Sequence, residues 1–595
     1  MRNWLLVFCL LLCIPTEAQD DFLAKQYLND GDYGKAVVFY EKLVAKNPRR
    51  TDFSEGLVTC YQQLERYEDA EAFLLEKVAN DYAMPTFFIE LGYNYTLQNQ
   101  AEKANEYYER AIDKISVNPN YGYAIGYRFQ KYALLDEAIR AYTTAMLLKP
   151  DLNYDFQLAR IYGEKGEIEK MYQSYLALIK NGRASRANVL RNVDDFISED
   201  PNAKNNIAFR KILLQNAQKE PDLLWNELLS WLFVQQKQLK SAFNQEKAIY
   251  KRAPIGSLDR LENLGHIAIE QSDYVTATAV FDYIVEKAND PRTKLGAELM
   301  RIEIDLVTTT EKDLDAIEKK FVKLSQEYGN APQTQPLQIA YANFLTFKKE
   351  NPEVAIALLQ ESLRLPSLGR FGEAYVKLAL GDILVYDQKF NRALIYFTQI
   401  QKSLKNDVLG QEARFKVAQT SFYKGDFDWA FTQLKVLRGS TSQLIANDAM
   451  QLSLTISDNT LEDSTQTALK KYARADLLAY QKKSKEAIAL LNDILENHKG
   501  EKIEDEALLR QGQLLEEQNQ YESAAFNYRK LIEFYGDGIL GDDAHFALAE
   551  LYRNVLNEPE KAMAHYEKII YQYQDSYYFP QARKNFRILR GDAIN

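Results

Sequence analysis

Apolar and small residues recur along this chain at spacings of three and four, the signature of helices with one buried face. Residues 87–117 show it in one view. Leu91, Gly92 and Tyr95 share one face of a first helix, and Ala104, Tyr108 and Ala111 share one face of a second. Polar residues fill the opposite faces, and Asn118-Pro119 closes the unit, since proline cannot continue a helix. The pattern then returns. Alanines stand at 36, 70, 104 and 138, each 34 residues after the last, and each is followed four residues later by Tyr40, Leu74, Tyr108 or Tyr142. A small side chain at such a site lets a neighbouring helix come close. Beside Gly92, Tyr95 is expected to fill the remaining gap. The prediction is a row of helix pairs, each about 34 residues long.

A fixed period of 34 with small, aromatic and proline positions in this order resembles the tetratricopeptide repeat, a helix–turn–helix unit. The first unit uses Ala24, Tyr27, Ala36, Tyr40, Leu43 and Pro48, and the fourth uses Gly126, Phe129, Ala138, Tyr142, Ala145 and Pro150. A degenerate fifth follows through Ala159, Tyr162 and Tyr175. Later units centre on Ala277, Ala355, Ala393, Ala430, Ala487, Ala524 and Ala562. The resemblance implies an all-α helical-repeat solenoid. Such a fold also explains how 595 residues can fold without one oversized core, because each repeat packs on its neighbours.

The period changes along the chain. Ala355 to Ala393 and Ala524 to Ala562 are 38 apart, while Ala393 to Ala430 and Ala487 to Ala524 are 37. Residues 111 and 126 illustrate a step of 15 from second helix to next first helix, which becomes 18 between Ile400 and Ala418. About one turn, ~3.6 residues, is expected to have been added to the second helix or its loop. The organisation predicted is a leader at 1–18, a first repeat segment at 19–180, an irregular helical connector at 181–260, and a second repeat segment at 261–595 ending in a capping helix. Ala242 marks a further candidate repeat within the connector.

The leader reading rests on Arg2, an unbroken apolar run from Trp4 to Ile14, Pro15, and small residues at Thr16 and Ala18. That is the layout of a secretory signal peptide, with cleavage after Ala18. The run is too short to span a bilayer, which takes roughly 20 apolar residues. Cys9 and Cys13 keep lipidation open as the alternative, although Phe8 and Leu12 stand where a small residue is usual. Cleavage would leave Cys60 as the single cysteine, so no intramolecular disulfide is expected. Export, to the periplasm or beyond the cell, is the expected address. Residues 562–587, with Asp575-Ser576-Tyr577 and Ala582-Arg583, resemble exported tetratricopeptide proteins of Gram-negative envelopes, of the outer-membrane β-barrel assembly lipoprotein and Tol–Pal coordinator type. That resemblance implies an outer-membrane-associated assembly role.

Net charge is −11, with acidic and basic residues well mixed, which argues against a nucleic-acid partner. The four histidines, 266, 498, 545 and 565, form no i, i+4 pair. His545 and His565 belong to the two helices of one repeat and could meet, with packing the plainer reading. No phosphate loop, dinucleotide fingerprint or nucleophile elbow occurs. No catalytic residue, metal ligand or cofactor is expected, and the chain is read as a binding protein rather than an enzyme.

The resemblance implies that first helices line a concave groove. One residue after the small position lie Tyr93, Tyr127 and Arg160, and three residues before it lie Ile89, Tyr123 and Phe156. Aromatic and arginine side chains are frequent anchors of protein interfaces. Tyr93, Tyr123, Tyr127, Phe156 and Arg160 are therefore the candidate groove residues for a protein or peptide partner, with packing between repeats as the alternative role. The rival function is a carbohydrate- or peptidoglycan-associated factor that uses the tyrosines as a sugar platform. Partner identity, oligomeric state and pathway stay open at this stage.

Overall fold

The computed structural model describes residues 16–79, 83–253, 256–309, 313–437, 439, 442–460 and 465–592. Among these, every regular element is helical and no strand occurs. The predicted leader through Pro15, with Cys9 and Cys13, lies outside the described residues, and the first described helix is Thr16–Asn29.

Helices come in pairs, and the 34-residue period sets both ends of each. Pro85–Leu97 pairs with Ala101–Val117, and Gly122–Lys131 with Leu135–Leu148. The turn between partners needs one left-handed residue, supplied at Gly31, Glu65, Asn99 and Ala133 with φ of 74°, 56°, 59° and 56°. Glycine carries this conformation without strain, whereas glutamate and alanine adopt it against their preference. Local capping adds to the turn. Asp32 accepts from the Lys35 amide, and Asp273 accepts from the Thr276 amide at 3.0 Å.

The repeated alanines are core positions. Ala36, Ala70 and Ala138 are fully buried and Ala104 nearly so, with Tyr40, Leu74, Tyr108 and Tyr142 buried beside them. The glycine of the first helix lies against the aromatic ring 16 residues ahead on its partner helix. A methyl group at Gly126 would sit 2.5 Å from Cε1 and Cζ of Tyr142, and one at Gly265 would sit 2.6 Å from Cζ of Phe281. Gly92 meets Tyr108 in the same way. The expectation for Tyr95 is thus corrected: Tyr108, not Tyr95, fills the space at Gly92. Tyr95 instead points to the preceding repeat, where its hydroxyl donates to Glu71 Oε1 at 2.8 Å.

The longer period also has a different source from the one expected. Second helices keep their length, as in Phe390–Ser403 and Leu135–Leu148, and the loops that follow stay short. The added turn lies at the start of the first helix. Gly126 is the fifth residue of Gly122–Lys131, whereas Gly381 is the twelfth of Arg370–Tyr386. Ala374, Ala413, Ala507 and Ala544 in these added turns are buried, so the extra turn is helical because it carries its own small apolar contact.

The described chain divides into two compact units, one ending at Gln238 and one beginning at Leu239. Within the first, helices continue after the fifth repeat as Arg186–Asp194, Lys204–Lys219 and Leu223–Gln235, whose Phe209, Trp225 and Leu228 join the core of the fifth repeat. The division falls inside residues 181–260, whose described part is largely helical, and Ala242 is buried on Leu239–Arg252. Within the second unit the alternation is broken once. Among the described residues helix Gln443–Thr460 has no second helix of its own; it packs on Phe427–Leu437 and stands between the pair Val408–Lys424/Phe427–Leu437 and the pair Thr467–Tyr480/Ser484–Asn497. First helices touch directly across this point, Val408–Lys424 against Thr467–Tyr480.

The second unit closes with Phe579–Arg590. Ala582 is buried, Phe586 and Leu589 pack on the last repeat, and Arg583, Lys584 and Arg590 face solvent. Asn585 ties this helix down by donating to Glu550 Oε1 at 2.7 Å.

Candidate partner-binding surfaces

In the first unit the first helices of successive repeats lie side by side, Pro85–Leu97 against Gly122–Lys131. Three of their polar side chains form a buried chain. Arg128 donates through Nη1 to Glu90 Oε1 and pairs through Nη2 with Glu55 on Thr51–Gln63, one repeat further back. Tyr132 donates to Glu90 Oε2 at 2.6 Å. Glu90 is almost fully buried, and burial pushes its carboxyl above the usual range while Arg128 and Tyr132 hold it back. One guanidinium thus joins three repeats.

The five groove candidates fall around this network in different ways. Tyr123 and Tyr127 are 49% and 57% exposed, and their rings stack nearly parallel, with 7° between planes and 6.1 Å between centres. Tyr123 also contacts Tyr154 at 6.2 Å. Arg160 is exposed. Tyr93 is half-buried, its ring 3.8 Å from that of Tyr132 and nearly parallel, so it packs on the ion network. Phe156 is half-buried and edge-on to Tyr175 at 5.9 Å. Ile89 is fully buried and belongs to the core. The residue one position after the small site therefore reaches solvent in the fourth and fifth repeats and packs in the third, where Tyr132 is large enough to cover it.

The second unit holds a cavity of about 610 Å³ that the sequence reading did not single out. Its walls come from Val408–Lys424, the partnerless Gln443–Thr460, Thr467–Tyr480 and Ile503–Glu517. Aromatic side chains from these first helices, among them Phe415, Phe422, Tyr423 and Tyr472, face carboxylates from three helices. Asp476 accepts from Arg510 Nε at 2.9 Å and from the Tyr423 hydroxyl at 3.2 Å. Glu506 Oε1 accepts from Asn459 at 3.2 Å, while its Oε2 is buried and has no hydrogen-bond partner among the described residues. Burial, with Asp505 beside it, pushes the Glu506 carboxyl well above its ordinary range, and burial raises Asp448 as well. A signal for this cavity does exist in the sequence. Ala430 and Ala487 are further apart than the 37- or 38-residue step allows, by the length of one helix.

Above the cavity the first helices are cross-tied over long stretches of chain. Gln481 Nε2 donates to the Tyr386 carbonyl at 2.6 Å and Tyr480 donates to the Asp382 carbonyl at 3.1 Å. Phe347 meets Tyr480 edge-on at 5.7 Å.

The two histidines of the last repeat do meet, Nδ1 to Nδ1 at 2.9 Å. Burial lowers both to about 4, so both are neutral and one donates to the other. Among the described residues no group of three or more metal-binding side chains comes together. Cys60 is fully buried, and burial pushes its thiol up to about 12, which makes it a packing residue. No helix among the described residues is long and apolar enough to cross a membrane.

Comparison with known proteins gives three family matches, all to the tetratricopeptide repeat, at residues 27–81, 472–539 and 543–576. No curated protein matches. Among solved structures, similar chains occur in "Crystal structure of APC/C hetero-tetramer Cut9-Hcn1", at 12% identity, 98% coverage of each chain and a TM-score of 0.24. Another occurs in "Structure of Naa15/Naa10 bound to HypK-THB", at 11% identity, 96% coverage of this chain, 85% of that chain and a TM-score of 0.33. The matched segments come from both units and carry the repeated helix pairs and buried small positions described above. Residues 27–81, 472–539 and 543–576 are thus tetratricopeptide repeats.

Proposed function

We propose that this chain is an exported scaffold of a bacterial cell envelope, which holds protein or peptide partners on the first-helix face of its repeats. The observation that carries the binding reading is the stacked pair Tyr123–Tyr127, half exposed on a helix whose inner side is fixed by Arg128. Rigid, half-exposed aromatic side chains give contact area at small entropic cost. The export reading is supported by the leader-like first 18 residues. On this reading the chain serves envelope assembly at the outer membrane, and its first helices line a concave groove.

Two measurements test it. Intact mass of the protein from its native envelope should correspond to a chain starting at Gln19; a mass that retains residues 1–18 refutes cleavage there. A photo-crosslinking residue at position 127 should trap a discrete protein partner. Tyr123→Ala with Tyr127→Ala, without the crosslinker, should weaken binding of the partner so trapped by about 2 kcal/mol or more while hydrogen exchange in residues 122–148 stays unchanged. Loss of stability with capture intact in the folded fraction would refute the face. The exposed tyrosines also suit a sugar ring, and retention of the wild-type chain, but not the double variant, on a peptidoglycan column with no protein trapped would favour the carbohydrate reading.

A further inference from the structure

The cavity of the second unit is chemically unlike the tyrosine face. Its lining holds four carboxylates, Asp448, Asp476, Glu506 and Glu517, against two cations, Lys482 and Arg510. Arg510 is already committed to Asp476. Lys482 forms no ion pair with Glu506 or Asp448, so both carboxyls are left without a counter-charge, Asp448 exposed at the wall and Glu506 with one oxygen buried and without a hydrogen-bond partner among the described residues. A carboxyl placed like that of Glu506 costs free energy to ionise unless a cation joins it. Phe415 and Tyr472 also line the space, and an aromatic ring draws a cation that comes over its face. An anionic ligand is opposed by the charge balance, and a neutral sugar would leave the carboxyls uncompensated.

We propose that this cavity seats an arginine- or lysine-bearing segment of a protein partner, with the cationic group directed to Glu506 and Asp448. The volume of about 610 Å³ falls within the roughly 300–1,000 Å³ of ordinary ligand sites, larger than one ammonium or guanidinium group needs. It therefore admits a short stretch of chain around the charged side chain. The partnerless helix Gln443–Thr460 exists on this reading to build the wall that carries Asp448, Gln451 and Thr455. The inference rests on the scaffold reading above and adds the chemistry of one partner segment.

The test is calorimetric titration of the full chain at low salt with a blocked pentapeptide carrying two arginines. Its counterpart with norleucine in their place and an N-acetylglucosamine oligomer are titrated alongside. The arginine peptide should bind and the other two should not. Glu506→Gln with Asp448→Asn, which keep shape, should weaken binding about tenfold or more. Gln451→Trp, at an exposed position on the cavity wall, should block it by bulk and leaves all the charges in place. Equal binding of the norleucine peptide, binding of the sugar instead, failure of the arginine peptide, or indifference to both variants would each overturn the proposal. The crosslink at position 127 is scored separately, so a failed cavity leaves the scaffold reading to stand or fall on that result.

Discussion

Replacing glycine by alanine should have opposite effects at two helical positions, because only one of them has a helix pressed against it. Gly126 and Gly296 both lie inside helices, Gly122–Lys131 and Pro291–Thr308. Alanine improves the intrinsic stability of either helix by about 1 kcal/mol. At Gly296 an added methyl meets nothing within 4 Å, so that gain should appear almost in full. At Gly126 the methyl would lie 2.5 Å from two ring carbons of Tyr142 and 2.8 Å from a third. Carbon atoms pack best at roughly 3.5–4.0 Å, so the ring must retreat by about 1 Å. It has little room, being fully buried with Tyr154 5.1 Å away. Overpacking of this kind costs about 1–3 kcal/mol, and the upper part of that range applies where the ring cannot swing out. The net effect at Gly126 is a loss of about 1–2 kcal/mol. A long repeat array does not unfold in one step, so a single melting temperature would blur the result. Hydrogen exchange read peptide by peptide is the better assay. Gly126→Ala should speed exchange in residues 122–148 by about 5–30-fold, and Gly296→Ala should slow it in residues 291–308. Unchanged or slower exchange in Gly126→Ala would refute the tight helix approach.

Three further outcomes follow from the buried polar groups. Arg128→Met strips Glu90 and Glu55 of their shared cation and should destabilise the first unit by about 3–5 kcal/mol; adding Glu90→Gln should recover much of that, as read by exchange in residues 85–131. The histidine pair should make the last repeat acid-sensitive. Both groups titrate near 4 when folded against about 6.5 unfolded, so the unfolded chain takes up protons first as pH falls. Stability is complete above 6.5, declines between 6.5 and 4 by up to about 3 kcal/mol for the first proton of the pair, and levels below. Urea titrations at pH 7, 5.5 and 4.5 should show this drop relative to a His545→Gln/His565→Gln variant, and parallel curves for the two proteins would refute it.

What the sequence made legible was governed by spacing. Small-residue sites such as Ala104 and Gly126 recur at fixed intervals because each must admit a helix, so period alone located them. Which aromatic meets which glycine was not legible, since Tyr95 and Tyr108 both lie within reach of Gly92 on a helical wheel and only the partner helix decides. The groove positions were half legible for a related reason. Offset from the small residue gives a direction, but exposure depends on the neighbour's bulk, and Tyr132 covers Tyr93 while Tyr127 stays more than half exposed. Glu90 and Arg128 read as ordinary surface charges, because pairing across 38 residues leaves no periodic mark. The cavity stayed hidden because the long step from Ala430 to Ala487 marks an inserted helix but gives neither where that helix packs nor which side chains it brings together.

The cross-ties in the second unit bear on how the chain reaches its fold. In a simple repeat array each unit consolidates against the next, and only short loops need closing. The bonds from Gln481 to Tyr386 and from Tyr480 to Asp382 join residues 95 and 98 apart. Closing such loops costs entropy before the contacts repay it, and contacts of high sequence separation slow folding. The pairs between them can form early as separate local structures. Helix Arg370–Tyr386 gains its last partners only when Thr467–Tyr480 and the partnerless helix between have found their places. Refolding of this unit should therefore end in a slow concerted docking step, in an architecture whose repeats would otherwise assemble one after another.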